Sequence, residues 1–212
     1  LAGNKSYKQI VKSTSIFGGS QVINILIGFI RTKIIAVLLG TTGVGLIGMY
    51  QTIVEMIKSI AVVGLDTSGI RDIATANSTG NKKMINESVA ILKKWMNSLS
   101  IFAALICILF AYPIALWSFG EEETSTQTFA IAALSISILF TMLGIGRTAV
   151  MQGLRKIPEM VKSNVIGNLL GLFVSIPLYY FWGTKGIIPS LILGSIIIFL
   201  STTFFSRNIE VD

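Results

Sequence analysis

The sequence predicts an all-α integral membrane protein, a six-transmembrane-helix bundle, on three observations. Hydrophobic residues make up 52% of the 212-residue chain and charged residues 13%, with a mean hydropathy of +0.76, whereas an average soluble domain carries roughly 25% charged residues. The apolar residues fall in blocks close to the roughly 20 residues a helix needs to cross a bilayer. The cations gather in alternate connections between those blocks, the pattern of a polytopic chain whose cytoplasmic segments are rich in Lys and Arg.

The first span is expected over about 16–39. Lys5, Lys8 and Lys12 precede it, but the block is too long for a secretory h-region and has no small-residue cleavage site behind it, so it reads as a retained helix. The glycine-rich stretch 40–45 ends it as a turn. A second span follows over about 46–65, and the uncharged run from Ile34 to Val54 makes the break between these two the hardest to place. Residues 66–94 are too polar for hydrocarbon and are expected to form a loop with a helical stretch. Trp95 and Trp117 bracket a third span over 95–117; 22 residues rise about 33 Å on a helix, the separation of two headgroup belts. The acidic turn at Glu121, Glu122 and Glu123 leads to a fourth span over 128–150, closed by the basic loop 155–159. The fifth covers 163–182 with Tyr179, Tyr180 and Trp182 as an aromatic end belt, and the sixth covers 187–205. Pro113 and Pro177 lie late in their spans, where a lost backbone hydrogen bond kinks a helix.

With the amino terminus cytoplasmic, inside segments hold Lys5, Lys8, Lys12, Arg71, Lys82, Lys83, Lys93, Lys94, Arg155, Lys156, Lys162 and Arg207, which is 12 of the 17 cations. The net charge of +7 is thus a topology signal, and no nucleic-acid partner is expected. Histidine is absent and Cys107 is the single cysteine, which argues against His-based acid/base chemistry, the usual zinc sites and disulfide frameworks. No metal or cofactor is expected. Cys107 reads as a packing residue.

Ionisable groups inside the spans are the functional candidates, because each costs at least about 2.5–3.5 kcal/mol at mid-membrane on insertion scales. Gln51, Glu55 and Lys58 recur at i, i+4 and i+7 on one face of the second span. They form either an ion pair that fixes helix packing or the wall of a hydrated pathway. Asn24, Gly28 and Arg31 share that spacing in the first span, where Arg31, in the outer half of the membrane, either faces a cavity or snorkels outward with Lys33. Asn164, Asn168, Gly171 and Ser175 form a small-polar stripe on the fifth span, which packing between helices explains. Arg147, at the cytoplasmic end of the fourth span, is expected to anchor at the interface in preference to lining a lumen.

Lys8-Gln9-Ile10 leading to Ser15-Ile16-Phe17-Gly18-Gly19-Ser20-Gln21, then 31–40, Gly43 to Gln51, Gly64-Leu65-Asp66 and Gly69 to Ala74, resemble the opening of polysaccharide-transporter flippases. These are the Wzx-type O-antigen flippases of the multidrug/oligosaccharidyl-lipid/polysaccharide exporter superfamily. The resemblance spans nearly the whole chain through loose hydrophobic and glycine patterns. It implies one lobe of a twelve-helix exporter fold in a bacterial cytoplasmic (inner) membrane, and no enzyme. It further implies movement of undecaprenyl-pyrophosphate-linked repeat units from the cytoplasmic to the outer leaflet, driven by a coupling ion (proton or sodium), with polysaccharide assembly enzymes as partners and membrane lipids around it. Arg31 and Lys58 are the cations placed to meet an anionic headgroup. An exporter of drugs or peptidoglycan precursors on the same fold is the nearest alternative. A polytopic glycosyltransferase or polymerase would need catalytic groups in large outside loops, which are short here; a membrane scaffold is the third class. The chain starts at Leu1 and stops at Asp212 just after an apolar segment, as expected of a fragment lacking a second bundle, although an alternative start codon would account for Leu1 alone.

Overall fold

A computed structural model describes residues 2–62, 64–121 and 124–207, with side chains from residue 15 onward except 16. The side chains of Lys5, Lys8 and Lys12, and Glu122 and Glu123, thus lie outside the described residues. Every element described is helical. Four stretches, Phe17–Val62, Lys82–Leu109, Thr124–Gly153 and Ile157–Arg207, are long and apolar enough to cross a membrane.

Helix α1 (Ala2–Val62) is interrupted at Gly40 alone, with φ 66° and ψ −167°. The expected turn over 40–45 is therefore a single-residue break: Gly43 and Gly45 are helical, and only Gly40 adopts a backbone that a side chain would strain. That one residue reverses the chain. Arg31 and Glu55 would stand about 36 Å apart on a straight helix, yet they line one cavity, and Ile35 packs in the same core cluster as Ile47.

The polar segment 66–94 holds the expected helical stretch but is helical almost throughout, with only Gly80 and Asn81 between two helices. Helix α2 (Leu65–Thr79) ends in Gly80 at φ 67°, and Asn81 caps α3 (Lys82–Leu109) by accepting from the Lys83 and Met84 amides. Leu65, Gly69, Ile70, Ile73 and Ala76 give α2 one apolar stripe at helical spacing, which the overall polarity of the segment conceals. Ile73 and Ala76 are buried, and Ile73 packs with Leu92, Met96, Ala149 and Val150 in a small core under α2. The expected third span breaks at Phe110, before α4 (Ala111–Phe119), because Pro113 has no N–H for the Leu109 carbonyl. Pro177, by contrast, sits inside α6 without ending it.

Helix α5 (Thr124–Gly153) runs antiparallel to α3. Cys107 donates to the Ile131 carbonyl at 3.3 Å near one end, and Gly146 lies against Met96 toward the other. The basic loop 155–159 is shorter than expected: α6 (Ile157–Trp182) starts with Pro158 and Glu159 in its first turn, where a missing N–H and a negative charge both suit a helix N-terminus. A 3-10 turn, Gly183–Gly186, then reverses the chain into α7 (Ile187–Arg207). The hairpin zips through small groups. Gly171 faces Gly194, Gly167 faces Ile198, and Ser201 donates to the Ser163 carbonyl at 2.8 Å. Tyr179, expected in an exposed belt, is instead 2% exposed and hydrogen-bonded to Ser190; Tyr180, Trp182, Trp95 and Trp117 do stand exposed.

These reversals collect the connections at Gly40, Gly120–Glu121 and 183–186 at one end. The other end holds Gly64, 154–156, α2 and most of the described cations.

Candidate functional site

A cavity of about 390 Å³ opens between both halves of α1, α5 and the α6–α7 hairpin, lined by Arg31, Gln51, Glu55, Ser137, Thr141 and Asn168 among others. Three of the residues singled out in the sequence, Arg31, Gln51 and Glu55, meet there although 20 or more positions separate the first from the others. Asn24 joins them through Asn168, whose Nδ2 donates to its Oδ1 at 3.0 Å and so ties α1 to α6. Gly194 lies beside the guanidinium: a Cβ built there would stand in ordinary contact, 3.8 Å from Arg31 Nη2.

Lys58 is not among the lining residues of this cavity, but it pairs with Glu55 one turn away. Among the described residues this is the only ion pair. Glu55 is 64% exposed in the pair and Lys58 25%, so the pair sits at an open edge and is not a sealed core bridge. Arg31 thus has no carboxylate within ion-pair range among the described residues.

A second cavity, of about 330 Å³, shares Thr141, Ser195 and Ile198 with the first and continues past Asn164, Thr148 and Gln152 to Asp66. Together they form one polar track from the cation-rich end of the bundle to the level of Arg31. Ser137, Thr141, Thr148 and Gln152 supply its α5 wall. Sequence reasoning missed them, although their spacing of four, seven and four residues puts them on one helical face.

The small-polar stripe of α6 divides. Gly171 and Ser175 are buried, and packing accounts for Ser175, whereas Gly171 also lines the Arg31 cavity. Asn164 and Asn168 remain partly exposed and face the track. Arg147 is not brought to the track at all. It lies on the opposite side of α5, its guanidinium carbon 4.2 Å from the centre of the Phe199 ring.

No group of three or more Cys, Asp or Glu placed to hold a metal occurs among the described residues. The track offers a guanidinium at Arg31, carboxylates at Glu55 and Asp66, and amides and hydroxyls among apolar residues. Amides and hydroxyls suit a hydroxyl-rich group, and the guanidinium suits an anionic one.

Comparison with known proteins gives two similar flippases. The chain is 22% identical over 184 residues to the lipid III flippase of Escherichia coli (strain K12), and to that of Shigella flexneri to the same extent. The match covers 87% of this chain and 43% of each relative, so the chain spans less than half the length of the proteins it resembles. No solved structure matches it. The family described as polysaccharide biosynthesis protein matches residues 10–208, and the chain belongs to that family of membrane proteins.

Proposed function

We propose that this chain is the amino-terminal lobe of a flippase that carries undecaprenyl-pyrophosphate-linked saccharide repeat units from the cytoplasmic to the outer leaflet. The observation that supports it most directly is the polar track between Asp66 and Arg31, with, at the end farther from the cytoplasm, a guanidinium that forms no ion pair among the described residues. A saccharide hydrogen-bonds to amides and hydroxyls, and a pyrophosphate pairs with Arg. In this reading the chain crosses the membrane six times, because α1 and the α6–α7 stretch each double back. Its amino terminus is cytoplasmic and the Glu121 end is outside. A second bundle completes the cavity, and a proton or sodium gradient drives transport. It acts as a transporter and not as an enzyme, in a bacterial inner membrane, beside polysaccharide assembly enzymes. The family supports saccharide polymers as the destination of the cargo; an O-antigen repeat unit is the reading proposed within it.

A second reading is favoured by one observation, the likeness to proteins named lipid III flippase: cargo of that kind instead of an O-antigen unit. Both are tested with the full-length polypeptide reconstituted in vesicles carrying, in separate samples, a fluorescent undecaprenyl-pyrophosphate oligosaccharide or lipid III in the inner leaflet. Appearance of label outside above protein-free vesicles is expected for the first sample. Transfer of lipid III alone would replace the first reading by the second, and transfer of neither would end both.

A further inference from the structure

On the side of α5 away from the polar track lies a larger cavity, of about 410 Å³, walled by α3, α5 and α7. Its charged lining is Lys93, Arg147 and Arg207, and no Asp or Glu is among the lining residues; Asn86, Asn97 and Ser206 add polar groups. Three cations that face one space repel each other, and no ion pair among the described residues relieves them. Arg147 carries the strongest signal. Its Nη1 is buried and has no hydrogen-bond partner, although a buried donor left unmade costs about 1–3 kcal/mol and more when charged. Phe199 lies against the guanidinium at 4.2 Å, and Phe140 backs Phe199 edge-on at 5.3 Å. Planar stacking of this kind fixes the guanidinium while leaving its edge N–H groups free.

We propose that this cavity is a binding site for a phosphate group, separate from the Arg31 track. A phosphate oxygen would supply the missing acceptor to Arg147 Nη1, and the anion would neutralise part of the three-cation field. The size fits a headgroup, since ligand cavities run from about 300 to 1,000 Å³. So does the depth: Arg147 is seven residues from Leu154, just past the end of α5, about 10 Å along the helix, and Arg207 stands at the last turn of α7. A basic pocket between helices at the cation-rich end meets the phosphates of anionic lipids there; a soluble pyrophosphate from the same side would satisfy the same groups. The inference does not depend on the saccharide reading, because the residues, the helix face and the cavity all differ.

The test uses the full-length polypeptide in detergent, titrated separately with dihexanoyl phosphatidylglycerol and with inorganic pyrophosphate, binding being read by native mass spectrometry. Arg147→Gln should weaken binding of the probe that occupies the site by about tenfold or more, Arg207→Gln should weaken it less, and Arg31→Gln should leave it unchanged. Arg207 is exposed, so that variant folds even if Arg147→Gln does not, and Arg147→Lys retains charge without the planar fork. Saturable binding of phosphatidylglycerol alone assigns the site to a lipid phosphate; saturable pyrophosphate binding assigns it to a soluble one. Binding of neither probe, or binding that all three cavity variants, Arg147→Gln, Arg147→Lys and Arg207→Gln, leave unchanged, overturns the proposal.

Discussion

Gly153→Ala should loosen α2 from the bundle. The new methyl would stand 2.7 Å from both Cβ and Cγ2 of Ile73 and 3.1 Å from the Ile70 carbonyl oxygen, where carbon atoms prefer about 3.5–4.0 Å. Ile73 is fully buried and two of the atoms are at or next to its backbone, so the strain cannot be relieved by turning a flexible side-chain end. Overpacking of this kind costs about 1–3 kcal/mol. Undocking α2 instead exposes Ile73, at about 1.5–3 kcal/mol, so both routes give a similar loss. At about 1.4 kcal/mol per tenfold, amide exchange in α2 should speed up roughly 5- to 150-fold, measured by hydrogen–deuterium exchange on the full-length protein in detergent. Gly48→Ala is the control: a Cβ there meets nothing within 4 Å, and the change removes a helical glycine worth up to about 1 kcal/mol. Exchange in α2 that stays at the wild-type rate in Gly153→Ala, or that speeds up equally in Gly48→Ala, would show that the Gly153 contact does not hold α2.

Three further outcomes follow from the site and the topology. In a Cys107→Ser background, a cysteine at Glu121 should react with an impermeant maleimide added outside intact cells, and one at Lys156 only after permeabilisation; the reverse order would invert the bundle. In the vesicle assay Arg31→Ala should slow saccharide transfer about tenfold or more, the scale of one lost charge-assisted contact, and Lys58→Arg should be milder than Lys58→Ala; full transfer by both alanine variants would remove these cations from the pathway. A double-mutant cycle of Asn24→Ala and Asn168→Ala, read by thermal unfolding in detergent, should give a coupling near 0.6 kcal/mol and below about 1.7, the range for hydrogen bonds between membrane helices; zero coupling would mean that the 3.0 Å bond contributes nothing to holding α1 on α6.

The helical membrane class was legible because hydrocarbon imposes it through composition, and the meeting of Gln51 and Glu55 because helical spacing fixes a face. A helical stretch was expected in the polar segment, but the extent of α2 was hidden by averaging. Its polar face outweighs the five residues of its apolar stripe, of which Ile73 and Ala76 are buried, and periodicity carries information that mean polarity loses. The turn between the first two spans was legible over 40–45 but not as Gly40 alone, since Gly43 and Gly45 offer the same backbone freedom and only tertiary packing selects which glycine bends. Tyr179 and Tyr180 adjoin in sequence but point to different surroundings, and nothing local distinguishes a belt residue from one whose hydroxyl meets Ser190. The approach of Arg31 to Gly194, and of Arg147 to Phe199, joins positions far apart in the chain. Such contacts follow from the hairpin registers, which no single span encodes.

The energetics separate what holds this bundle together from what the bundle is kept for. Close approach of α6 to α7 through Gly167, Gly171 and Gly194 needs no charge, and the Asn24–Asn168 bond returns only about 0.6 kcal/mol on average for its class. Arg31, beside that bond, costs at least about 2.5 kcal/mol at mid-membrane and recovers none of it from a carboxylate among the described residues. The debt exceeds what the neighbouring hydrogen bond supplies several times over. An apolar residue at position 31 would therefore pack this lobe at least as well. The same comparison does not apply to Lys185, which sits in the 3-10 turn at the end of the bundle where water is available, nor to Glu55, whose partner Lys58 is one turn away. Arg31 is the described residue in the polar track whose presence packing leaves least explained, and the proposed passage of an anionic headgroup would account for that cost.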